Sequence, residues 1–416
     1  MIAPSDRRAD VYGELLGAIS SGNKEQVIAI IASAFNSELT VDELFSILLR
    51  IGARNYSYES FTHHVPHSLF ALNSAHSLAQ RLPRKEAFLM LAQAGVYLGH
   101  DWPKFQSSGV QPELVFKEEE PAFLGEILLR SIEKQELPKA DGALEKLLKL
   151  PNFHESLANY LFLACSLDYK NIGHKLIMAT HLFEACEKLK FEIGFGILRP
   201  AVHYASCEVI AEQKKRVEQW IADIDLEDST LFSHKRVLNY KEAVELADKV
   251  LNSEDFVSAV NHTLRNECSL NSFLDALVVA GCEWIYQQVD HFIVNIHKLT
   301  YVHAVRMALQ RMTLFPLYPV LQAVGFLRDS WKGRGLQDAG LSIEVPDTKE
   351  ALLWASSQDF EPTAGHVSKF VYAFLAEDRV LAPELKPYLY RAYRVLREQI
   401  EDAGAIREKF YSHSGK

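Results

Sequence analysis

Apolar residues recur at three- and four-residue spacing along nearly the whole chain, with no run of β-branched alternation between turn dipeptides to interrupt them. Such a pattern disfavours sheets and leaves a chain that must bury helix against helix. Residues 11–35 follow it, and Thr40 with Glu43 three positions on has the spacing of a capping box. Pro83 suits a first helical turn, with Gly99 as the stop. Pro121 and Pro138 punctuate helices expected over 122–136 and 142–150, followed by others over 155–167, 173–190, 200–221, 240–252 and 255–265. Two more are expected between 272 and 310, and a last amphipathic one over 383–411. Residues 332–363 are the least regular and read as a loop-rich rim or lid. No low-complexity linker divides the chain, so the expectation is one all-α domain over residues 1–416.

A formal net charge of −10 over 416 residues argues against a nucleic-acid binder or an anionic-membrane binder. There is no secretory h-region and no uncharged apolar run long enough to span a bilayer, which points to a cytoplasmic protein. The five cysteines are irregularly spaced without a CxxC pair, as expected of reduced, buried side chains. Nucleotide and nucleophile motifs are missing: no GxSxG, no GxxxxGK[ST], and no GxGxxG that would bind flavin or NAD. The sequence GRGLQDAG at 333–340 imitates a glycine-rich loop but lacks the strand before it. HExxH is absent, as are the paired ExxH motifs of carboxylate-bridged di-iron bundles.

What remains is sixteen histidines, several of them in apolar helical blocks. His63, His64 and His67 cluster around Pro66, just before or within the first turn of an apolar helix. His174 opens a second such helix, which carries His181 seven residues on. His297 and His303 lie in a third, and His366 and Lys369 stand three apart in a fourth. A buried imidazole needs a hydrogen-bond partner or a metal. Taken singly, each is more often a satisfied core residue. Four helices that each donate an inward histidine favour a nitrogen-rich site for iron, zinc, copper or nickel. Lys369, among Phe370, Val371 and Phe374, must snorkel to water, act as a neutral base, or become carboxylated and supply an oxygen ligand.

At these residues the chain resembles the questin oxidase-like family of oxygenases. Four blocks in order carry the likeness: His64-Val-Pro-His67, Gly173-His174-Lys-Leu-Ile, Asn295-Ile-His297-Lys-Leu-Thr300 and Gly365-His366-Val-Ser-Lys369. They span about residues 55–380. The resemblance implies a helical fold around a histidine-lined cavity and a mononuclear non-haem iron(II). Its ligands would be His67, His174, His297 and His366, with Lys369 as a fifth. It further implies O₂ and an aromatic, quinone-like substrate as partners. His64 is then the alternative ligand or an acid/base, and Thr300 and Asn295 would orient His297. Tyr56, Tyr58, Trp284 and Tyr301 are candidates for stacking on the substrate, with His181 and His303 lining the same pocket. The competing expectations are a zinc-dependent hydrolase or lyase using the same histidines, and a non-catalytic helical scaffold. A homodimer is compatible with either.

Overall fold

The computed structural model describes residues 4–54, 64–105, 111–113, 120–207, 209–222, 224, 236–288, 291–331, 335–336, 343–359, 361–401 and 404–415. Among them there are helices and connecting turns and no strand, so the chain is all-α. It begins with α1 (Pro4–Ser20) and α2 (Lys24–Phe35). The single stretch expected over 11–35 is broken there, because the Asn23 side chain accepts the Gln26 N–H and starts α2 afresh. The predicted capping box of Thr40 and Glu43 opens α3 (Val41–Ala53), with both reciprocal bonds formed.

Next come α4 (His67–Ala79) and α5 (Arg84–Asp101). Gly99 does not stop α5, as expected, but lies within it. A Cβ at Gly99 would come to 3.5 Å of the Ile19 carbonyl, an ordinary contact, and α5 runs on past the residue to Asp101. The chain continues with α6 (Pro121–Glu133), α7 (Leu137–Leu147), α8 (Phe153–Cys165), α9 (Lys170–Lys188), α10 (Gly194–Ala205) and α11 (Ala211–Ala222). The stretch expected to start at Pro200 is thus two helices, with Pro200 inside the first of them.

Then follow α12 (Tyr240–Asn252), α13 (Phe256–Asn266), α14 (Leu270–Gln287), α15 (Phe292–Asn295), α16 (His297–Leu309) and α17 (Leu317–Trp331). Within the expected rim lies α18 (Thr348–Ala355), and after it come α19 (Glu361–Val380), α20 (Lys386–Gln399) and α21 (Ala405–Ser414). The final helix expected over 383–411 is therefore split. Asp359 accepts the N–H groups of Ala405 and Ile406 and so supplies the start of α21 from a distant loop.

Four helices form the centre. α4 packs on α9, α9 on α16, α16 on α19, and α19 back on α4. The others wrap this ring: α5 covers α4 and α19, α8 and α10 cover α9, α14 and α17 cover α16, and α18 and α20 cover α19. Enclosure explains why the central helices lack a polar face. In α16 every residue from His297 to Ala308 is buried. All five cysteines are free and buried, as their spacing suggested. Among the described residues, no helix is long and apolar enough to cross a membrane.

Candidate metal centre

Each central helix delivers one histidine to the place where the ring closes. His67 is the first residue of α4, and its Nδ1 donates to the Val65 carbonyl at 3.1 Å. His174 follows a left-handed run inside α9, Asn171, Ile172 and Gly173, with φ of 51°, 58° and 84°. That run turns the Asn171 carbonyl back to accept the Nδ1–H of His174. At Gly173 the conformation and the space both call for glycine, since a Cβ there would meet the Tyr301 ring at 2.3 Å. His297 begins α16 and is fully buried, and His366 lies on α19. The four offer one ligand atom each, all within 4.8 Å of one another.

The proton inventory makes this cluster unusual. His174 Nε2 lies 2.9 Å from His67 Nε2 and 2.9 Å from His297 Nε2. Because His67 and His174 commit their Nδ1–H to carbonyls, a neutral ring in either case has only a lone pair at Nε2. Two lone pairs then face each other at hydrogen-bond distance. Protonating one ring would relieve the clash, but burial pushes the pKa of His67, His174 and His297 well below the usual imidazole range. A cation among the nitrogens resolves the conflict. Metal–nitrogen bonds of about 2.0–2.1 Å place ligand nitrogens roughly 3–4 Å apart, so the closest pairs need open only slightly.

Lys369 is 1% exposed, and its Nζ has no hydrogen-bond partner among the described residues. It lies 4.8 Å from the Phe70 ring centre. Burial lowers its pKa well below that of a free lysine and so favours the neutral amine, and the side chain does not snorkel to water. Thr300, one turn beyond His297, has a buried hydroxyl that is also without a partner.

Other expected site residues go elsewhere. Asn295 does not orient His297: its Oδ1 accepts from Trp284 Nε1 at 2.9 Å and its Nδ2 donates to the Gln288 carbonyl. Thr300 does not orient His297 either, since its hydroxyl has no hydrogen-bond partner among the described residues. His64 is exposed, edge-on to Phe105 with ring centres 6.1 Å apart, because it precedes the proline that starts α4. Tyr301 is fully buried between Gly173 and Phe326, a packing role. Trp284 lines a cleft of about 330 Å³ with Tyr169, Asn171, Lys298 and Phe326, on the outer side of the left-handed run. His63, Tyr56 and Tyr58 lie outside the described residues.

His181 and His303 belong to a second, polar layer further along the same helices. Between the layers lies the Phe70 ring, 5.9 Å from His174 and 6.4 Å from His181, centre to centre. His303 Nδ1 contacts Glu377 Oε1 at 2.7 Å, and Arg306 bridges Glu377 to Asp275. His181 Nδ1 accepts from Asn73 at 3.2 Å, and Asn73 also donates to Glu184 at 2.7 Å. Tyr372 joins the two halves, its ring 5.2 Å from His181 and 5.4 Å from His303, and its hydroxyl donates to Glu184 at 2.7 Å. Sequence reasoning missed Asn73, Tyr372 and Glu377. Extending the face of α19 that carries His366 and Lys369 by one turn and then further would have reached Tyr372 and Glu377.

Compared with known proteins, the chain matches no family model, no curated protein and no solved structure.

Proposed function

We propose that the chain is an oxygen-dependent oxidoreductase, a mono- or dioxygenase of an aromatic, quinone-like small molecule, working through one iron held by His67, His174, His297 and His366. The observation that carries the metal part is the pair of opposed Nε2 lone pairs of His67 and His174, 2.9 Å apart, with His174 buried and His67 partly so. The oxygenase part rests on the four ordered blocks, each of which contributes one histidine to this cluster. Bound there, iron(II) supplies one-electron exchange with dioxygen.

The chain's own residues have distinct tasks in this reading. Val65 and Asn171 fix the tautomers of His67 and His174, so both present Nε2 to the centre. Four neutral imidazoles do not balance a dication in a dry site, and Lys369 is the group able to correct that. Its unprotonated Nζ adds to CO₂, forming an N–C bond and releasing one N–H proton, and the carbamate oxygen is an anionic donor. Thr300 offers its unpartnered hydroxyl to an incoming polar group one turn from His297. His64 lies exposed on the segment leading into α4, outside the cluster of four. The enclosing helices keep water from reactive species.

The test is metal content together with oxygen uptake. Chain loaded anaerobically with iron(II) should hold one iron and consume O₂ with hydroquinone or anthraquinone substrates. His174→Ala and His297→Ala should each lose both properties. Stoichiometric zinc without iron-dependent uptake would sink the oxygenase and favour hydrolysis or lysis at the same histidines. Unchanged metal content in both variants would leave only a scaffold.

A further inference from the structure

The polar layer beyond Phe70 is too far from the four histidines to bind a metal with them, yet it is built with care around one phenol. We propose that Tyr372 is a redox-active residue that gives an electron to the metal centre through Phe70 and His181. The inference rests on the proposed metal reading.

A path of rings connects the two layers. Phe70 lies 5.5 Å from His67 and 5.9 Å from His174, then 6.4 Å from His181, which lies 5.2 Å from Tyr372, all between ring centres. On α19, Tyr372 stands six residues beyond His366, a rise of about 9 Å along the helix. Among the described residues, the hydrogen bonds of His181, Asn73, Glu184 and Tyr372 stay on the far side of Phe70. That network reaches Phe70 and meets hydrocarbon there. A ring passes an electron and blocks a proton, so this connection suits electron transfer alone.

The proton has its own acceptor in place. Tyr372 is 8% exposed, and its hydroxyl already donates to Glu184 Oε2 at 2.7 Å. Burial alone would raise the Glu184 carboxyl, but Lys188, with the hydrogen bonds from Tyr372 and Asn73, holds it in the carboxylate form. The step balances: Tyr372–OH and the Glu184 carboxylate become a neutral tyrosyl radical and a Glu184 carboxylic acid. The electron lowers the oxidation level of the centre by one, with dioxygen as the oxidant consumed there. When O₂ reacts without an organic substrate, this transfer spares the ligating imidazoles from oxidation.

Iron-loaded chain without organic substrate, mixed with O₂ or separately with hydrogen peroxide and freeze-quenched, should show a tyrosyl radical by electron paramagnetic resonance. The signal should narrow with ring-deuterated tyrosine. Tyr372→Phe should lose it while keeping its iron, and peptide mass spectrometry should then find oxidation moved onto the histidine ligands. Glu184→Gln, which keeps the phenol and removes the proton acceptor, should lower the radical yield several-fold with helix content unchanged by circular dichroism. A radical that persists in Tyr372→Phe overturns the assignment. So does iron that is oxidised with no tyrosyl signal in the unaltered chain, and in that case the metal reading stands. If iron does not bind, or neither oxidant changes its oxidation state, the metal reading fails and the redox role falls with it.

Discussion

Lys369 shows how one residue can weaken a fold and serve a site. A fully buried amine with no hydrogen-bond partner costs about 1–3 kcal/mol in the metal-free chain. Lys369→Met, close in length and apolar, should therefore raise the unfolding free energy of the metal-free protein by about that much, seen as a higher urea midpoint. The same change should weaken iron binding by at least about ten-fold in a competition titration with a chelator. A midpoint that falls instead would mean the amine has a partner in solution. Lys369 and the four histidines were legible in the sequence because each is a polar residue set in an apolar helical block. Tyr372 and Glu377 were not, since a tyrosine or a glutamate in a helix is unremarkable until its neighbours are known. His76 on Asp42 and His203 on Asp141 were missed for the same reason: the partners that satisfy them lie 34 and 62 residues away.

Among the elements, α9 is the one whose local conformation reaches the centre directly. Its three left-handed residues form a hook whose carbonyl holds His174 and whose glycine makes room for Tyr301. Gly173→Ala should strain the hook by about 1–3 kcal/mol and force Tyr301 to move. Metal affinity should fall with stability, and binding isotherms beside thermal melts will separate this from Gly196→Ala, where a Cβ meets nothing within 4 Å. If metal affinity is unchanged in Gly173→Ala, the hook does not position His174. Helix periodicity in the sequence located most elements, but ends set by distant groups escaped it. The start of α21, supplied by Asp359, is one such end. Gly99 was read as a stop because glycine commonly ends a helix, yet α5 runs on past it to Asp101.

For the whole molecule, burying so many neutral imidazoles ties stability to pH. Burial holds His67, His174 and His297 well below the usual range, and it takes His76 to about 4, against the opposing pull of Asp42, and His181 to about 3. Unfolded imidazoles take up protons below about pH 6.5, and these folded ones do not. The metal-free protein should thus lose stability as pH falls below about 6.5, each of these groups contributing up to about 1.4 kcal/mol per pH unit until its folded value is reached. Glu184, lowered to about 2, contributes stability above its unfolded pKa near 4.5 that is lost as pH falls toward 2. Urea midpoints measured between about pH 7.5 and pH 5 should be level at first and then drop steeply. A level midpoint down to about pH 5 would show that water reaches the imidazoles in solution.

The order of the ligands along the chain has a consequence for how the protein comes to exist. His67, His174, His297 and His366 come from four helices spread across the sequence, and α4, which carries the first, packs on α19, which carries the last. At about 5–20 residues per second of synthesis, His67 waits roughly 15–60 s before His366 is made. A ribosome-bound fragment therefore has two or three imidazoles and no closed ring of helices. On the proposed metal reading, capture would belong to the finished chain, and the choice of ion would fall after translation has ended.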